Sequence, residues 1–363
     1  MSEGTMKFSM TAAGLVLGAA LVVGAATPPA FQVSPAHAKD WWPYTVDVWP
    51  GLEMRQRRKL VEYEPLAKAS KKWNLCVSVP RMNNPFWDAI NYGLVSECRR
   101  VGVRMELFDA GGYTEEANQA TQIRACVDGG ADAVIVAGIS PDGLNPLVSE
   151  LRAKGIPVIN MANEVLSEEI SAKSLVSFGE RAWYLAEYLV KRHPEGTEKV
   201  KVAWLPDAGE PGWVFSQHFN EEIAHGAIEV VEPGGAINVG PIEDIVANHP
   251  DLRYIAGNPL FAHGAIRHLT EIGRLGEIKV LTYDTPPSVY QAIKDGEMLA
   301  ATTDSPTIQA RVAVDQAVRL LEGEDFLLHV GPYHYMVDTD NLNTTDRSAL
   351  LAPEGFVPVF KVE

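Results

Sequence analysis

From residue 73 onward, short apolar runs alternate with stretches whose apolar residues recur at helical spacing. Residues 75–79 and 105–108 read as strands, and between them residues 85–101 carry Ile90, Leu94, Val95 and Cys98 on one helical face. Residues 115–128 read as a helix, 133–137 as a buried strand, 147–153 as part of a helix and 156–161 as a strand. These strands are near-continuous in Val and Ile rather than alternating, which predicts a parallel sheet covered by helices on both faces. The pattern then repeats, with strands predicted at 200–204, 228–231, 254–256 and 279–282, and helices at 182–192, 214–227, 262–272, 287–294 and 308–321. The last predicted strands are 328–330 and 335–337.

The expected fold is therefore α/β, two doubly wound parallel-sheet lobes joined by a hinge. Residues 73–176 with 305–328 form the first lobe, and residues 177–304 with 329–363 form the second. Between 232 and 250, a Pro-Gly-Gly turn and two further prolines leave room only for a short helix. Residues 39–72 differ from the rest and form an N-terminal arm carrying Trp41, Trp42 and Trp49, then the charged stretch 55–59. Such an arm either folds over its own lobe and buries its aromatics, the preferred expectation, or presents them to a partner.

The start of the chain has another character. Lys7 precedes the apolar run 12–26, and Ala36-His37-Ala38 is the small-x-small pattern a signal peptidase cuts after. The apolar run is shorter than the roughly 20 residues that span hydrocarbon, so a leader cleaved after Ala38 and a periplasmic location are expected. A net charge of −16 argues against nucleic acid as a partner, because clustered Lys and Arg would be needed. A small solute or another protein fits better. The three cysteines are too few for a disulfide framework. Cys98 and Cys126 fall on helices expected on opposite faces of the sheet, so Cys76 to Cys126 is the preferred bridge, with three buried free thiols as the alternative.

In doubly wound sheets, ligands bind in loops beyond the carboxyl ends of strands. After the first predicted strand comes Asn84 before Pro85, well placed to cap a helix, then Phe86 and Trp87, one of which should face the cleft. Tyr113 ends the loop after the second strand, and Asn258 and Asp284 follow strands of the second lobe. Asp304 should lie near a crossing between the lobes.

Residues 83–87, 248–258, 283–284 and 291–296 resemble periplasmic solute-binding proteins of the ribose/galactose type, type I in fold. Within that family, residues 75–76, 89–93, 109–113 and 353–359 are most similar to members that sense trimethylamine N-oxide (TMAO) beside a sensor histidine kinase. The resemblance implies aromatic walls from Phe86, Trp87 and Tyr113, with Phe178 near an aromatic of the second lobe. It also shows departures: Phe86 replaces a Tyr, Asn84 an Asp, and Asp284 a Tyr, while Ala162-Asn163 stands where sugar-binding members usually have an Asp-Arg pair. The implied function is closure on TMAO or a related quaternary amine, whose cationic head suits ring faces, and signalling to the periplasmic domain of a sensor kinase. The alternative is delivery of a sugar or quaternary amine to an ABC permease. A carboxylate at 284 favours a full cation or a hydroxylated ring over a net-neutral N-oxide.

Enzymatic chemistry has no motif behind it: the sequence contains no Gly-x-Ser-x-Gly elbow, no His-Glu-x-x-His pair and no phosphate-binding Walker loop. His218, His225, His249 and His263 are scattered and read as surface or capping residues rather than metal ligands. No cofactor is expected.

Overall fold

A computed structural model describes residues 40–54, 57–207, 209–231 and 242–363; the leader and cleavage site expected at 1–38 lie outside the described residues. The chain opens with an antiparallel pair, β1 (Tyr44–Trp49) and β2 (Lys59–Tyr63). The alternation follows: β3 (Asn74–Val79), α1 (Pro85–Val101), β4 (Arg104–Asp109), α2 (Glu116–Asp128), β5 (Ala133–Val136), α3 (Asn145–Ala153), β6 (Val158–Met161) and β7 (Ala172–Ser174). A first crossing leads to α4 (Phe178–Arg192), β8 (Val200–Leu205), α5 (Gly209–Ile223), β9 (Ile228–Val231), α6 (Ile242–Asn248), β10 (Leu252–Gly257), α7 (Pro259–Glu271), β11 (Lys279–Thr282), α8 (Pro287–Lys294) and β12 (Ala300–Thr302). A second crossing returns through α9 (Pro306–Glu322) and β13 (His329–Pro332), and a third reaches β14 (Met336–Asp338) and α10 (Arg347–Leu350) before β15 (Lys361–Val362).

Two sheets result. The first has the order β15-β4-β3-β5-β6-β7-β13-β1-β2 and the second β14-β12-β11-β10-β8-β9. The β3 to β7 and β8 to β12 segments pair in parallel, as their buried apolar runs predict. No helix among the described residues is long and apolar enough to cross a membrane.

Side-chain alternation along β3 explains the covalent link. Leu75, Val77 and Val79 face the core beneath α1 and α9, whereas Cys76 faces the opposite core with Ile123 of α2. Cys76 and Cys126 form a disulfide with their Cα atoms 6.1 Å apart, and Cys98, on the other face, stays a buried thiol. On that first face α1 and α9 approach so closely that a Cβ on Gly93 would sit 2.4 Å from the Thr307 carbonyl oxygen. Only glycine fits there.

The lobe boundaries expected from sequence need two corrections. Residues 329–363 do not all join the second lobe: β13 pairs with β7 and β1, and β15 pairs with β4, so both complete the first sheet. The physical reason is that β13 is buried along its whole length and finds its partners on the first-lobe edge left open by β7. The segment expected as an N-terminal arm at 39–72 is instead part of the first lobe, since β1 and β2 are the terminal strands of the first sheet, and Trp41 and Trp49 are buried there in line with the preferred expectation. Trp41 is buried, stacks on Tyr63 with centroids 6.0 Å apart, and donates its indole N–H to Glu97 of α1 at 2.9 Å. Trp49 is buried against His329, 4.4 Å between centroids.

The same segment satisfies Asp315 of α9, which is fully buried. The Tyr63 hydroxyl donates to it, and so does the Leu66 amide at 2.7 Å, beside the Arg319 guanidinium at 2.6 Å. Removing residues 39–70 would strip two of these donors and open the core around Val312 and Val330, leaving a buried carboxylate underpartnered. The truncated chain should fail to give a cooperative thermal transition. A truncated chain that unfolds cooperatively near the full-length midpoint would mean the segment is dispensable to the first lobe.

Candidate functional site

α4 begins as the chain enters the second lobe, and its start is set by a local capping pattern. The Ser177 hydroxyl accepts the Glu180 amide at 3.3 Å, which places Arg181 on the first turn. That side chain is only 7 % exposed. One guanidinium nitrogen donates to Asp284 and lies 3.6 Å from Asp304, while the plane sits 4.9 Å from the Phe178 ring centre and 5.2 Å from that of Phe215. Asp284 follows β11 and Asp304 precedes α9, so a helix start and two strand ends converge on one cation. Burial pushes both carboxyls above the usual carboxylate range, and Arg181 pulls both back. Asp284 is pushed further by Asp304 and Asp207 nearby. One guanidinium thus serves two carboxylates, and both keep lone pairs for further donors.

His334 lies at the third crossing. Its Nδ1 contacts the Thr303 carbonyl oxygen, which can only accept, so Nδ1 carries the hydrogen and Nε2 presents a lone pair. Burial lowers the ring's pKa to about 3, with Arg181 and Arg58 adding to the effect, so the neutral form persists. Both His334 Nε2 and Arg181 Nε are buried with no hydrogen-bond partner among the described residues. Deeper in the lobe, Asn258 caps α7 by accepting the Leu260 amide at 2.7 Å, and its own amide donates to Asp207. The Tyr283 hydroxyl donates to the other Asp207 oxygen at 2.8 Å, and its ring stacks on Phe215 with 4.1 Å between centroids.

The first lobe contributes differently. Asn84 accepts the Trp87 amide at 3.1 Å as the N-cap of α1. Trp87, expected as a partly exposed wall of the cleft, is instead 1 % exposed and belongs to the first-lobe core. The reason is helical periodicity: Trp87 stands three and seven residues before Ile90 and Leu94 and begins the stripe they share. Phe86, one residue back on the helix, is half-buried and meets the Trp87 ring edge-on at 5.0 Å. Tyr113 is 47 % exposed, with the Arg81 guanidinium 5.3 Å from its ring centre and the Asn163 amide 3.3 Å from its hydroxyl.

Of the residues singled out from sequence, Asp284, Asp304 and Phe178 are brought together around Arg181, and Asn258 is joined to Asp207 within the same lobe. Asn84, Phe86 and Tyr113 stand on the first lobe. Sequence reasoning missed Arg181, Asp207 and His334. Arg181 had a signal: Ser177-Phe-Gly-Glu180 is a capping box, and reading it would have started the helix before residue 182 rather than at it. Asp207 also had one, since it follows the predicted strand 200–204 just as Asp284 follows its own; His334 had none, since its meaning comes from the crossing.

Two parallel-sheet lobes linked by three crossings, with polar groups gathered at strand ends, define a hinged binding protein. The chain belongs to the family described as periplasmic binding protein domain, which matches residues 75–325. Its fold is that of the type I periplasmic binding proteins. It is similar to the periplasmic protein TorT of Escherichia coli K12, 25 % identical over 298 residues, 81 % of this chain and 86 % of TorT. It is also 27 % identical over 284 residues to the D-ribose/D-allose-binding protein of Pseudomonas aeruginosa, covering 71 % of this chain and 85 % of that one. Among solved structures, an ABC transporter solute-binding protein from Bradyrhizobium sp. BTAi1 with bound bis-tris is 41 % identical with a TM-score of 0.86, covering 89 % of this chain and 100 % of the other. TorT in complex with the TorS sensor domain shares the fold at a TM-score of 0.70 and 24 % identity, covering 80 % of this chain and 100 % of that one. TorT is described as periplasmic, and the Pseudomonas and Bradyrhizobium relatives as binding proteins.

The core position of Trp87 has a direct consequence. Trp87→Ala should lower unfolding stability by about 3–5 kcal/mol, the cost of emptying a large buried site. Chemical denaturation measures it. A loss below about 1 kcal/mol would return the ring to the cleft surface.

Proposed function

We propose that this protein captures a small solute bearing several hydroxyl or amine donors and delivers it to an ABC permease. The carrying observation is Arg181 held between Asp284 and Asp304. Two carboxylates sharing one guanidinium present acceptors that reward O–H and N–H donors, and the lone pair of His334 Nε2 adds another. A quaternary ammonium or an N-oxide carries no such donor and needs a cage of open ring faces instead. Such a cage is poorly supported here, because Trp87 is buried and Phe178 is already faced by Arg181. Phe86 and the exposed Tyr113 remain as faces for the C–H surface of a ring or chain. The relative 41 % identical to this chain holds bis-tris, a polyhydroxylated amine, and is described as an ABC transporter component. In both respects it agrees with this reading.

A second reading, signalling of TMAO or a related amine to a sensor kinase, is favoured by the match to TorT over 86 % of TorT's length. Both readings share a periplasmic location and a hinged cleft.

Calorimetric titration of the wild type and Asp284→Asn with bis-tris, pentoses, hexoses, glycine betaine and TMAO separates them. The expected result is binding of donor-bearing solutes, weakened roughly tenfold in Asp284→Asn as a charge-assisted hydrogen bond becomes a neutral one, with no response to TMAO. TMAO binding that is unaffected by Asp284→Asn would overturn the import reading in favour of the second.

A further inference from the structure

Arg58, in the connection between β1 and β2, has partners in both lobes. Its Nε is 2.9 Å from an oxygen of Asp47, a 3 % exposed side chain of β1, and its Nη1 donates to Glu180 of α4. Asp47 lies on the first sheet and Glu180 on the second lobe's opening helix, one residue before Arg181. Adjacent helical residues point about 100° apart, so the same turn of α4 turns one side chain to the N-terminal strands and the next to the Asp284–Asp304 cluster. One turn later, Tyr184 meets Tyr333 edge-on at 6.1 Å and lies 5.9 Å from His334, both in the third crossing. The first turns of α4 are therefore held on one side by a strand pair of the other lobe and on the other by the candidate ligand residues. Arg58 also lies 5.6 Å from the centre of the buried Trp49 ring, which fixes the guanidinium on the first-lobe side.

We infer that Arg58 and Glu180 are positioning residues for solute capture: their ion pair spans the two lobes and sets where Arg181 stands relative to the first lobe. Neither side chain is exposed as a free surface charge, Arg58 being 28 % and Glu180 20 % accessible, so the pair is less screened than an ordinary surface bridge. Closure and pairing are then coupled, and whatever loosens the pair lowers the population of the arrangement that captures solute. The inference goes beyond the choice of solute and rests only on the cleft being the binding site.

The test uses the full mature chain with spin labels at Lys154→Cys in the first lobe and Lys294→Cys in the second, both exposed positions. Dipolar distance measurement without any added solute should give a longer or broader interlobe distribution in Arg58→Gln and in Glu180→Gln. The double variant should match Arg58→Gln, because the pair with Glu180 is already lost there, while Arg58→Gln differs from Glu180→Gln only by also releasing Asp47. Bis-tris affinity by calorimetry should fall about fivefold in each single variant and no further in the double. Unchanged distance distributions, or effects that add in the double variant, would overturn the inference. The distance readout needs no ligand, so a wild type that fails to bind bis-tris would count against the proposed solute class while the distances still decide the role of the pair.

Discussion

A guanidinium buried at the mouth of a sheet must be neutralised where it stands, and Arg181 is neutralised by two carboxylates from different parts of the chain. Asp284 arrives at the end of β11 and Asp304 at the second crossing, so the strand ends, the crossing and the start of α4 are held in one electrostatic unit. Removing Arg181 would leave two desolvated carboxylates facing each other without their cation, which costs far more than the pairs themselves contribute. The Ser177 cap and the rings of Phe178 and Phe215 serve to keep that cation in place. The arrangement stores polar capacity in the second lobe and leaves the first lobe to supply ring faces.

The parts of the fold that could be read from sequence are those whose pattern is local. Parallel strands such as β5 and β6 are buried on both faces and appear as apolar runs, and α1, α8 and α9 announce themselves by period. The preference for Cys76 with Cys126 came from placing the helices of Cys98 and Cys126 on opposite faces of the sheet, and the disulfide has that pairing. In contrast, β1 joins the first sheet through β13, whose residues lie far along the chain: Val48 stands opposite Val330. Nothing local marks such pairing, and β2, with Leu60 and Val61 exposed, has no buried face to betray it.

The candidate site divided along the same line. Asp284, Asp304 and Asn258 could be found because they follow strands, where ligand groups gather in this architecture. Trp87 was misplaced because its position after a strand outweighed its place in the helical stripe with Ile90 and Leu94, although both facts were present in the sequence. Arg181 was overlooked because its helix was started too late. His334 had no sequence signal, since it matters only where the third crossing passes beside the other two.

On the proposed function, Arg181 organises the cleft for a solute rich in O–H or N–H donors. The most direct measurement is mass spectrometry of the small molecule released by denaturing the protein after purification from the periplasm without added solute. A polyhydroxylated solute, with or without an amine, is the expected result. Release of TMAO, or of another solute without hydroxyl or N–H donors, would contradict it.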